Sequence, residues 1–213
     1  MERSDFFSFL DLPRKLNIDM VRLDERYRTL SRQFHPDFFY NATSAERRLS
    51  LERSSFLNDA YRALKDPIKR IVYLLKLEGL APKNEHEASR QVPAGLLEEV
   101  FALNEELDEV RAVRESGAPD DQWKPRLERA RQPIEQKRSE HEAELQSLAA
   151  EWDALVDRNA ADRGAGATGM DDARRLVLER LRDRFLERNY ITNLLAGIER
   201  ELNTGGRGPR SEQ

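Results

Sequence analysis

The stretch RQFHPDFF, residues 32–39, places His35, Pro36 and Asp37 between two segments that both show a helical pattern of apolar residues. Pro36 has no backbone N–H and disfavours the α conformation of the residue before it, so a helix is predicted to end at His35. The stretch therefore indicates a rigid, polar corner between two helices. The segments on either side of it decide what the corner is for.

The segment before the corner predicts an amphipathic helix that begins after Asp19. Asp19 is a typical N-cap, and apolar residues follow at spacings of four, three and four. These residues are Leu23, Tyr27, Leu30 and Phe34. The opposite face carries Arg22, Arg26, Arg28 and Arg32, against Asp24 and Glu25. Taken alone, a charged face of this kind is most often simply solvated.

The segment after the corner predicts a second helix with a complete start signal. Thr43 can cap this helix, and Glu46 can reach back to complete a capping box. Its apolar stripe comprises Leu57, Ala60, Tyr61 and Leu64. Asp66 and Pro67 then predict the cap and first residue of a further helix, which Gly79 would end. A short helix near the start would add four residues to the same core: Phe6, Phe7, Phe9 and Leu10.

Composition restricts the possible functions. The 213 residues suffice for one large domain or two small ones, and there is no cysteine, so disulfides, thiolate chemistry and an iron-sulfur centre held by the chain are not expected. The three histidines, His35, His86 and His141, are too scattered for a metal site. No apolar run approaches the roughly 20 residues of a membrane span, and the N-terminus lacks signal-peptide features. We expect no cofactor and a cytoplasmic location.

Charge is high in both signs but unevenly distributed. Residues 1–78 contain 15 Lys and Arg against 12 Asp and Glu, a net charge near +3, whereas the remaining residues contain 21 against 28, a net charge near −7. Neither part has the clustered positive charge of a nucleic-acid-binding domain. We therefore expect no nucleic-acid partner.

The segment from Asp5 to Gly79 resembles a J-domain, the module by which co-chaperones act on DnaK-type ATPase chaperones. The resemblance is carried by the His-Pro-Asp corner, by Tyr27 and Leu30 before it, and by LNDAYRALKDP at residues 57–67. It implies that the corner and the basic face dock on a DnaK-type chaperone (HscA-like) and promote ATP hydrolysis. The implied chaperone-binding residues are His35, Pro36, Asp37, Arg26, Arg28 and Arg32. Phe38 departs from the pattern, because a basic residue is common there.

Residues 80–92 are polar, with Pro82 inside the segment and Pro93 directly after it, which indicates a linker. Residues 94–113 then predict a strong helix. The stripe of this helix is Leu96, Val100, Leu103, Leu107 and Val110. Leu97 and Phe101 lie outside the stripe, on a face otherwise filled by Glu98, Glu105 and Glu109. The pattern leaves two interpretations open: a broad buried face, or an apolar anchor in an acidic rim that binds a partner.

Two more helices are predicted beyond that one. The first has a stripe of Leu127, Ala130, Ile134, His141, Leu145, Leu148, Trp152 and Leu155, with His141 as a packed residue. We expect Pro125 at its start and a kink or break at Pro133. A flexible glycine-rich loop, residues 159–169, separates it from a last helix at about 171–202. That helix has a broad face of Leu178, Leu181, Phe185, Leu195, Ile198 and Leu202.

The rear half sharpens the resemblance to the HscB-type co-chaperones of iron-sulfur cluster assembly. It is carried by LLEEVFALNEELDEV at residues 96–110, RDRFLER at 182–188 and DPIKRIVYLLKLEG at 66–79. It implies that the rear bundle binds the scaffold protein on which clusters are built (IscU-like). The implied scaffold-binding residues are Leu97, Phe101, Glu105, Glu109 and Phe185. Glu98 stands where an apolar contact is usual.

The sequence patterns predict an all-α protein with no metal site, and the resemblance implies a monomeric co-chaperone that is not itself an enzyme. The predicted divisions are a J-domain at 1–79, a linker at 80–92, a three-helix scaffold-binding bundle at 93–202 and a disordered tail at 203–213. Two alternatives remain: a J-domain protein for general folding, and a helical coiled-coil adaptor without effect on an ATPase. A hydrolase using His35 and Asp37 is disfavoured because the sequence offers no nucleophile beside them.

Overall fold

The protein was analysed as a computed structural model, which describes residues 5–81, 93–161 and 168–204. Within these ranges the chain forms α-helices and short 3-10 helices, and no strand. The helices are α1 Phe6–Phe9, α2 Met20–Phe34, α3 Ser44–Lys65, α4 Pro67–Leu77, α5 Leu97–Glu115, α6 Asp120–Ala161 and α7 Thr168–Thr204, with 3-10 helices at Pro36–Phe39 and Ala94–Leu96. The predicted all-α class is confirmed.

The chain packs into two compact units. The first comprises Met1–Ala81 and Ser147–Arg182, and the second comprises Pro82–Gln146 and Asp183–Gln213, so α6 and α7 each contribute to both. The predicted boundaries followed the order of motifs along the chain. Packing instead groups the end of α6 and the start of α7 with helices α1 to α4. The functional division into 1–79 and 93–202 stays a prediction.

Three predicted irregular segments lie largely outside the described residues. These are positions 82–92 of the linker, 162–167 of the glycine-rich loop and 205–213 of the tail. The tail was predicted to begin at Asn203, but Asn203 and Thr204 still belong to α7.

In the first unit, α2 and α3 form an antiparallel hairpin. Three hydrogen-bonded pairs establish that the two helices are antiparallel, because residues later in α2 bind residues earlier in α3. Tyr61 donates to Asp24 at 2.8 Å, Tyr27 donates to Asn58 at 2.9 Å, and Ser50 donates to the Phe34 carbonyl at 2.8 Å. The core between the helices contains Phe7, Leu10, Leu12, Leu23, Leu57, Ala60 and Leu64. All of these core residues except Leu12 were predicted. The other predicted core residues are partly buried against this cluster: Phe6, Phe9, Tyr27, Leu30, Phe34 and Tyr61.

The helix ends of the first unit follow the predicted local signals. Asp19 caps α2 by accepting from the Val21 and Arg22 amides, and the capping box of Thr43 and Glu46 begins α3. Asp66 caps α4, with Pro67 at its first position. Gly79 has φ of 72°, the left-handed conformation that ends a helix at little cost only for glycine.

The loop before α2 is held by side chains from α6 in the same unit. The Trp152 indole N–H donates to the Arg14 carbonyl at 2.8 Å. The Asp153 carboxylate accepts from the Leu16 amide at 2.6 Å and from the Asn17 amide at 2.9 Å. These three bonds join residues almost 140 positions apart in sequence, which explains why part of α6 packs with the front helices.

Arg70 also binds the loop before α2. It is 4% exposed, and its guanidinium donates to the carbonyls of Leu16, Leu64 and Lys65. Burial lowers its pKa. Among the described residues no carboxylate forms an ion pair with Arg70, so backbone carbonyls satisfy this buried cation.

The second unit has a core to which α5, α6 and α7 all contribute. Its buried residues are Leu96, Val100, Leu103, Val110, Trp123, Leu127, Ile134, Ile191 and Ile198. The predicted stripe of α5 is thus confirmed, and His141 is a packed residue with 7% exposure.

A kink or a break was predicted at Pro133, and the prediction of a break is wrong. The helix α6 runs without interruption from Asp120 to Ala161, and Pro125 lies inside it rather than at its start. Both proline side chains are on the exposed surface. Residues on either side of Pro133, such as Leu127 and Ile134, are buried, and breaking the helix would expose one of the two groups.

Candidate functional site

The His-Pro-Asp corner is ordered and exposed. His35 caps the end of α2 with ψ of 126°, an extended conformation, and Pro36 begins the 3-10 helix that follows. The side chains of His35 and Asp37 are 51% and 84% exposed. The partly buried hydrogen bond from Ser50 to the Phe34 carbonyl, at 2.8 Å, connects the start of the corner to α3. A partner can therefore reach both polar side chains without unfolding the corner.

The backbone contact at the corner favours one tautomer of the neutral His35 ring. The Asp37 amide N–H donates to Nδ1 of His35 at 3.3 Å, so in the neutral ring the proton lies on Nε2. Oδ2 of Asp37 lies 3.4 Å from the same Nδ1. The corner thus offers an imidazole N–H donor and a carboxylate acceptor two residues apart.

The basic face of α2 divides into engaged and available arginines. Arg26 donates through Nε to the Leu10 carbonyl at 3.3 Å and lies 3.8 Å from the Asp11 carboxylate. Arg22 binds the same carboxylate at 3.3 Å. Arg28 and Arg32 are exposed, and within the described ranges neither forms a hydrogen bond or ion pair. Arg28 and Arg32 are therefore the arginines available to a partner, whereas Arg26 already serves the fold.

Leu97 and Phe101 lie one turn apart on α5 and are 41% and 71% exposed. Their neighbours Leu96 and Val100 are 1% and 6% exposed, so the helix separates a buried stripe from an outward apolar pair. The interpretation as a broad buried face is thus excluded, and the interpretation as an apolar anchor for a partner stays a prediction.

The acidic rim around this pair is weaker than the sequence predicts. Glu98 and Glu105 are exposed. Glu109 binds Nη2 of Arg126, whose Nε also binds Glu106 at 2.5 Å. Hydrogen bonds to Glu106 and Glu109 raise the pKa of Arg126. Arg126 was not among the predicted site residues, because nothing in the pattern of α6 shows which glutamates of α5 it faces.

Phe185 is buried rather than on the surface. It was predicted to join Leu97 and Phe101 on the scaffold-binding surface, but it is only 3% exposed. The spacing on α7 already placed it on the broad apolar face with Leu178 and Leu181, which are buried as well. Phe185 is a core residue, and its contribution to any surface is indirect.

A cleft of about 390 Å³ lies between α5 and α6, and none of the predicted scaffold-binding residues lines it. Its walls include Leu103, Glu106, Arg126, Ala130 and Pro133. Leu97 and Phe101 instead project from the outer face of the helix. Such a surface suits another protein rather than a small molecule.

Two further searches of the described residues bear on function. No group of His, Asp or Glu in these ranges is arranged to hold a metal ion. No helix in them is both long and apolar enough to cross a lipid bilayer.

Comparison with protein-family models gave no match. Curated proteins do match. The chain is 40% identical over 114 residues to the co-chaperone protein HscB homolog of Cupriavidus taiwanensis, a match covering 52% of this chain and 64% of that protein. It is 37% identical over 110 residues to the human iron-sulfur cluster co-chaperone protein HscB, covering 51% and 45%. The chain thus matches less than two thirds of the length of either relative.

Two solved structures share the fold. Chaperone HscB from Vibrio cholerae aligns with a TM-score of 0.57 and 23% identity, over 94% of this chain and 98% of that one. Human co-chaperone protein HscB aligns with a TM-score of 0.58 and 24% identity, over 94% and 83%. Together with the curated relatives, these matches confirm the resemblance to HscB-type co-chaperones.

Proposed function

We propose that this protein is a co-chaperone that stimulates ATP hydrolysis by a DnaK-type chaperone and delivers an iron-sulfur cluster scaffold protein to it, in the cytoplasm. The observation that carries the proposal is the exposed, ordered His35-Pro36-Asp37 corner at the end of an antiparallel hairpin. The names of the curated relatives support the same role.

The chaperone would bind the corner and the end of α2. Asp37 can accept from a cation on the chaperone, and the Nε2–H of His35 can donate to a carbonyl or carboxylate. Arg28 and Arg32 carry charge that no neighbour neutralises among the residues described, so they would face acidic side chains. Pro36 restricts the backbone between His35 and Asp37, which reduces the conformational entropy that is lost on binding.

The scaffold would bind the exposed pair Leu97 and Phe101. Aromatic and aliphatic anchors within a polar rim are typical of protein interfaces. Glu105 would supply the rim charge, whereas Glu109 would first have to leave Arg126. Binding both partners at once would raise their effective concentration for each other.

The test is the rate of ATP turnover by a DnaK-type chaperone at increasing concentrations of this protein, with and without scaffold. His35→Gln should abolish stimulation in both conditions. Leu97→Ala/Phe101→Ala should retain the scaffold-independent stimulation and lose only the increment due to the scaffold. Leu176→Ala is the matched control, because Leu176 is also exposed (58%) and lies on α7, away from both predicted sites in the sequence.

Each failure points to a different alternative. Wild-type protein that never raises turnover would refute the chaperone assignment. Stimulation without any scaffold increment would favour a J-domain protein for general folding. Self-association with no effect on an ATPase would favour the coiled-coil adaptor.

A further inference from the structure

Two aromatic side chains beside the His-Pro-Asp corner are unusually exposed. Phe38 is 75% exposed and Tyr40 is 80% exposed, the highest values among the exposed large hydrophobic residues of the described chain. Exposing these two large rings, two residues apart in sequence, to water does not stabilise the fold. Exposed aromatics that the core does not use are typical of protein-binding surfaces.

The backbone that carries these rings is fixed. Phe38 lies in the 3-10 helix Pro36–Phe39, and its amide donates to the His35 carbonyl at 3.1 Å. The 3-10 helix packs against α3, and the ring of Phe39, between the two exposed aromatics, is partly buried. Phe38 and Tyr40 are thus presented from an ordered segment, so a partner need not order the backbone when it covers them.

Phe38 also touches the residue on which the proposed function depends. Its ring lies edge-on to the imidazole of His35, with ring centroids 6.2 Å apart. A protein surface that contacts the His35 ring must therefore come within reach of Phe38. This continuity argues for a single occupant, because a protein that covers the corner also reaches Phe38. Tyr40 follows two residues later in the same exposed segment.

The chemistry at this place is apolar. A lysine or arginine after the tripeptide would make a salt-sensitive contact with an acidic surface, whereas phenylalanine cannot. The positive charge of the region remains on Arg28 and Arg32 of α2. The two kinds of contact are therefore carried by different residues and can be separated by mutation.

Resting on the proposed function, we propose that Phe38 and Tyr40 form an apolar anchor for the same DnaK-type chaperone, which covers them with an apolar recess next to the surface that meets His35. The anchor contributes to affinity and to the choice of chaperone. The trigger for ATP hydrolysis remains with His35 and Asp37. This chain is thereby specific for a chaperone whose recess accepts aromatic rings instead of a basic side chain.

The test is a titration of ATP turnover by the chaperone with wild type and Phe38→Ala/Tyr40→Ala, with direct binding measured in parallel. The concentration for half-maximal stimulation should rise about tenfold or more, since buried aromatic anchors commonly account for at least that much affinity. Stimulation at saturation should be unchanged. His35→Gln should give the opposite pattern, with stimulation lost at every concentration.

Salt dependence separates the anchor from the basic face. Raising the salt concentration from about 50 to about 300 mM should weaken wild type and Phe38→Ala/Tyr40→Ala by the same factor, because screening acts on the retained arginines. Arg28→Ala/Arg32→Ala should lose most of that salt dependence. Far-UV circular dichroism and the thermal unfolding midpoint establish that each variant is folded, and Leu176→Ala is again the control for an exposed apolar side chain.

The outcomes are distinct. If wild type stimulates and Phe38→Ala/Tyr40→Ala titrates within about twofold of it, the anchor is refuted while the proposed function stands. If the double variant instead lowers stimulation at saturation with unchanged affinity, the aromatic pair belongs to the trigger and the proposal is also wrong. If wild type neither binds nor stimulates, the proposed function and the anchor fail together.

Discussion

Replacing Asp153 by alanine should destabilise the first unit by about 2–3 kcal/mol. Its carboxylate accepts from the amides of Leu16 at 2.6 Å and Asn17 at 2.9 Å. A hydrogen bond to a charged group contributes about 1.5–3 kcal/mol, and the larger values apply where the partner is left buried. Leu16 is only 4% exposed, whereas Asn17 is exposed and water can replace its bond. The first bond therefore accounts for most of the loss.

Two variants calibrate this magnitude. Asp153→Asn retains one carbonyl oxygen and can keep one of the two bonds, so we expect a loss of about 1–2 kcal/mol. Asp157→Ala removes the ion pair between Lys15 and Asp157, which are 2.6 Å apart. Asp157 is 64% exposed, and surface ion pairs contribute about 0–1 kcal/mol. The order of destabilisation should be Asp153→Ala, then Asp153→Asn, then Asp157→Ala.

The assay is urea unfolding followed by tryptophan fluorescence. The chain has two tryptophans, Trp123 in the second unit and Trp152 in the first. In a Trp123→Phe background the signal comes from Trp152, whose indole N–H donates to the Arg14 carbonyl beside the Asp153 bonds. The free energy of unfolding follows from the midpoint and the slope of the transition. Amide hydrogen exchange of Leu16 provides a local measure, since its protection should fall in both Asp153 variants.

One result would refute the reasoning. If Asp153→Ala and Asp157→Ala lower the free energy of unfolding equally, by less than about 0.5 kcal/mol, the bonds to Leu16 and Asn17 do not hold the loop.

Three further predictions concern stability. Thr43→Ala removes the capping box of α3 and should lower the free energy of unfolding by about 1 kcal/mol in urea titrations, whereas Thr43→Ser should be nearly neutral. Burial is the largest effect on the pKa of His141 and lowers it, whereas the negative charge of Glu187 acts to raise it. The stability that neutral His141 contributes is fully present above its unfolded-state pKa of about 6.5, and it is lost as pH falls through its folded-state pKa. Wild type should therefore lose more stability than His141→Gln between about pH 7.5 and 5.5. Phe185→Ala should lower the free energy of unfolding by about 3–5 kcal/mol, and Phe101→Ala should lower it by less than about 0.5 kcal/mol, because only the first substitution empties a core position. Differential scanning calorimetry and urea titration measure both losses, and equal losses would contradict the assignment of Phe185 to the core.

The elements predicted correctly are those whose signals act over a few residues. The capping box of Thr43 and Glu46, the Asp66-Pro67 start and the Gly79 stop each need only one turn of neighbouring backbone. The same holds for the corner, because Pro36 constrains His35 directly. Locally determined helix ends then fix which residues of α2 and α3 share a face, and the antiparallel pairing follows.

The contacts that the sequence did not predict involve partners distant in sequence. Nothing near Glu109 indicates that Arg126 neutralises it, and nothing near Arg26 indicates that the turn after α1 occupies it. Phe185 lies in the apolar stripe of α7, which indicates burial, whereas the resemblance to the family implies a place on the binding surface. A side chain that is 3% exposed has almost no area left for a partner.

The continuity of α6 through Pro133 shows which energy prevails when local and tertiary preferences conflict. A proline inside a helix costs about 3 kcal/mol, through one lost hydrogen bond and a steric clash. Full burial of a leucine or isoleucine side chain contributes about 1.5–3 kcal/mol. Leu127 and Ile134 bracket the proline at 0% and 2% exposure, and Leu145 and Leu148 follow on the same helix at 3% and 4%. A break would turn one set of these side chains away from its partners, at a greater cost than the proline imposes. The helix therefore stays continuous, and the same argument applies to Pro125 beside Trp123, which is 1% exposed.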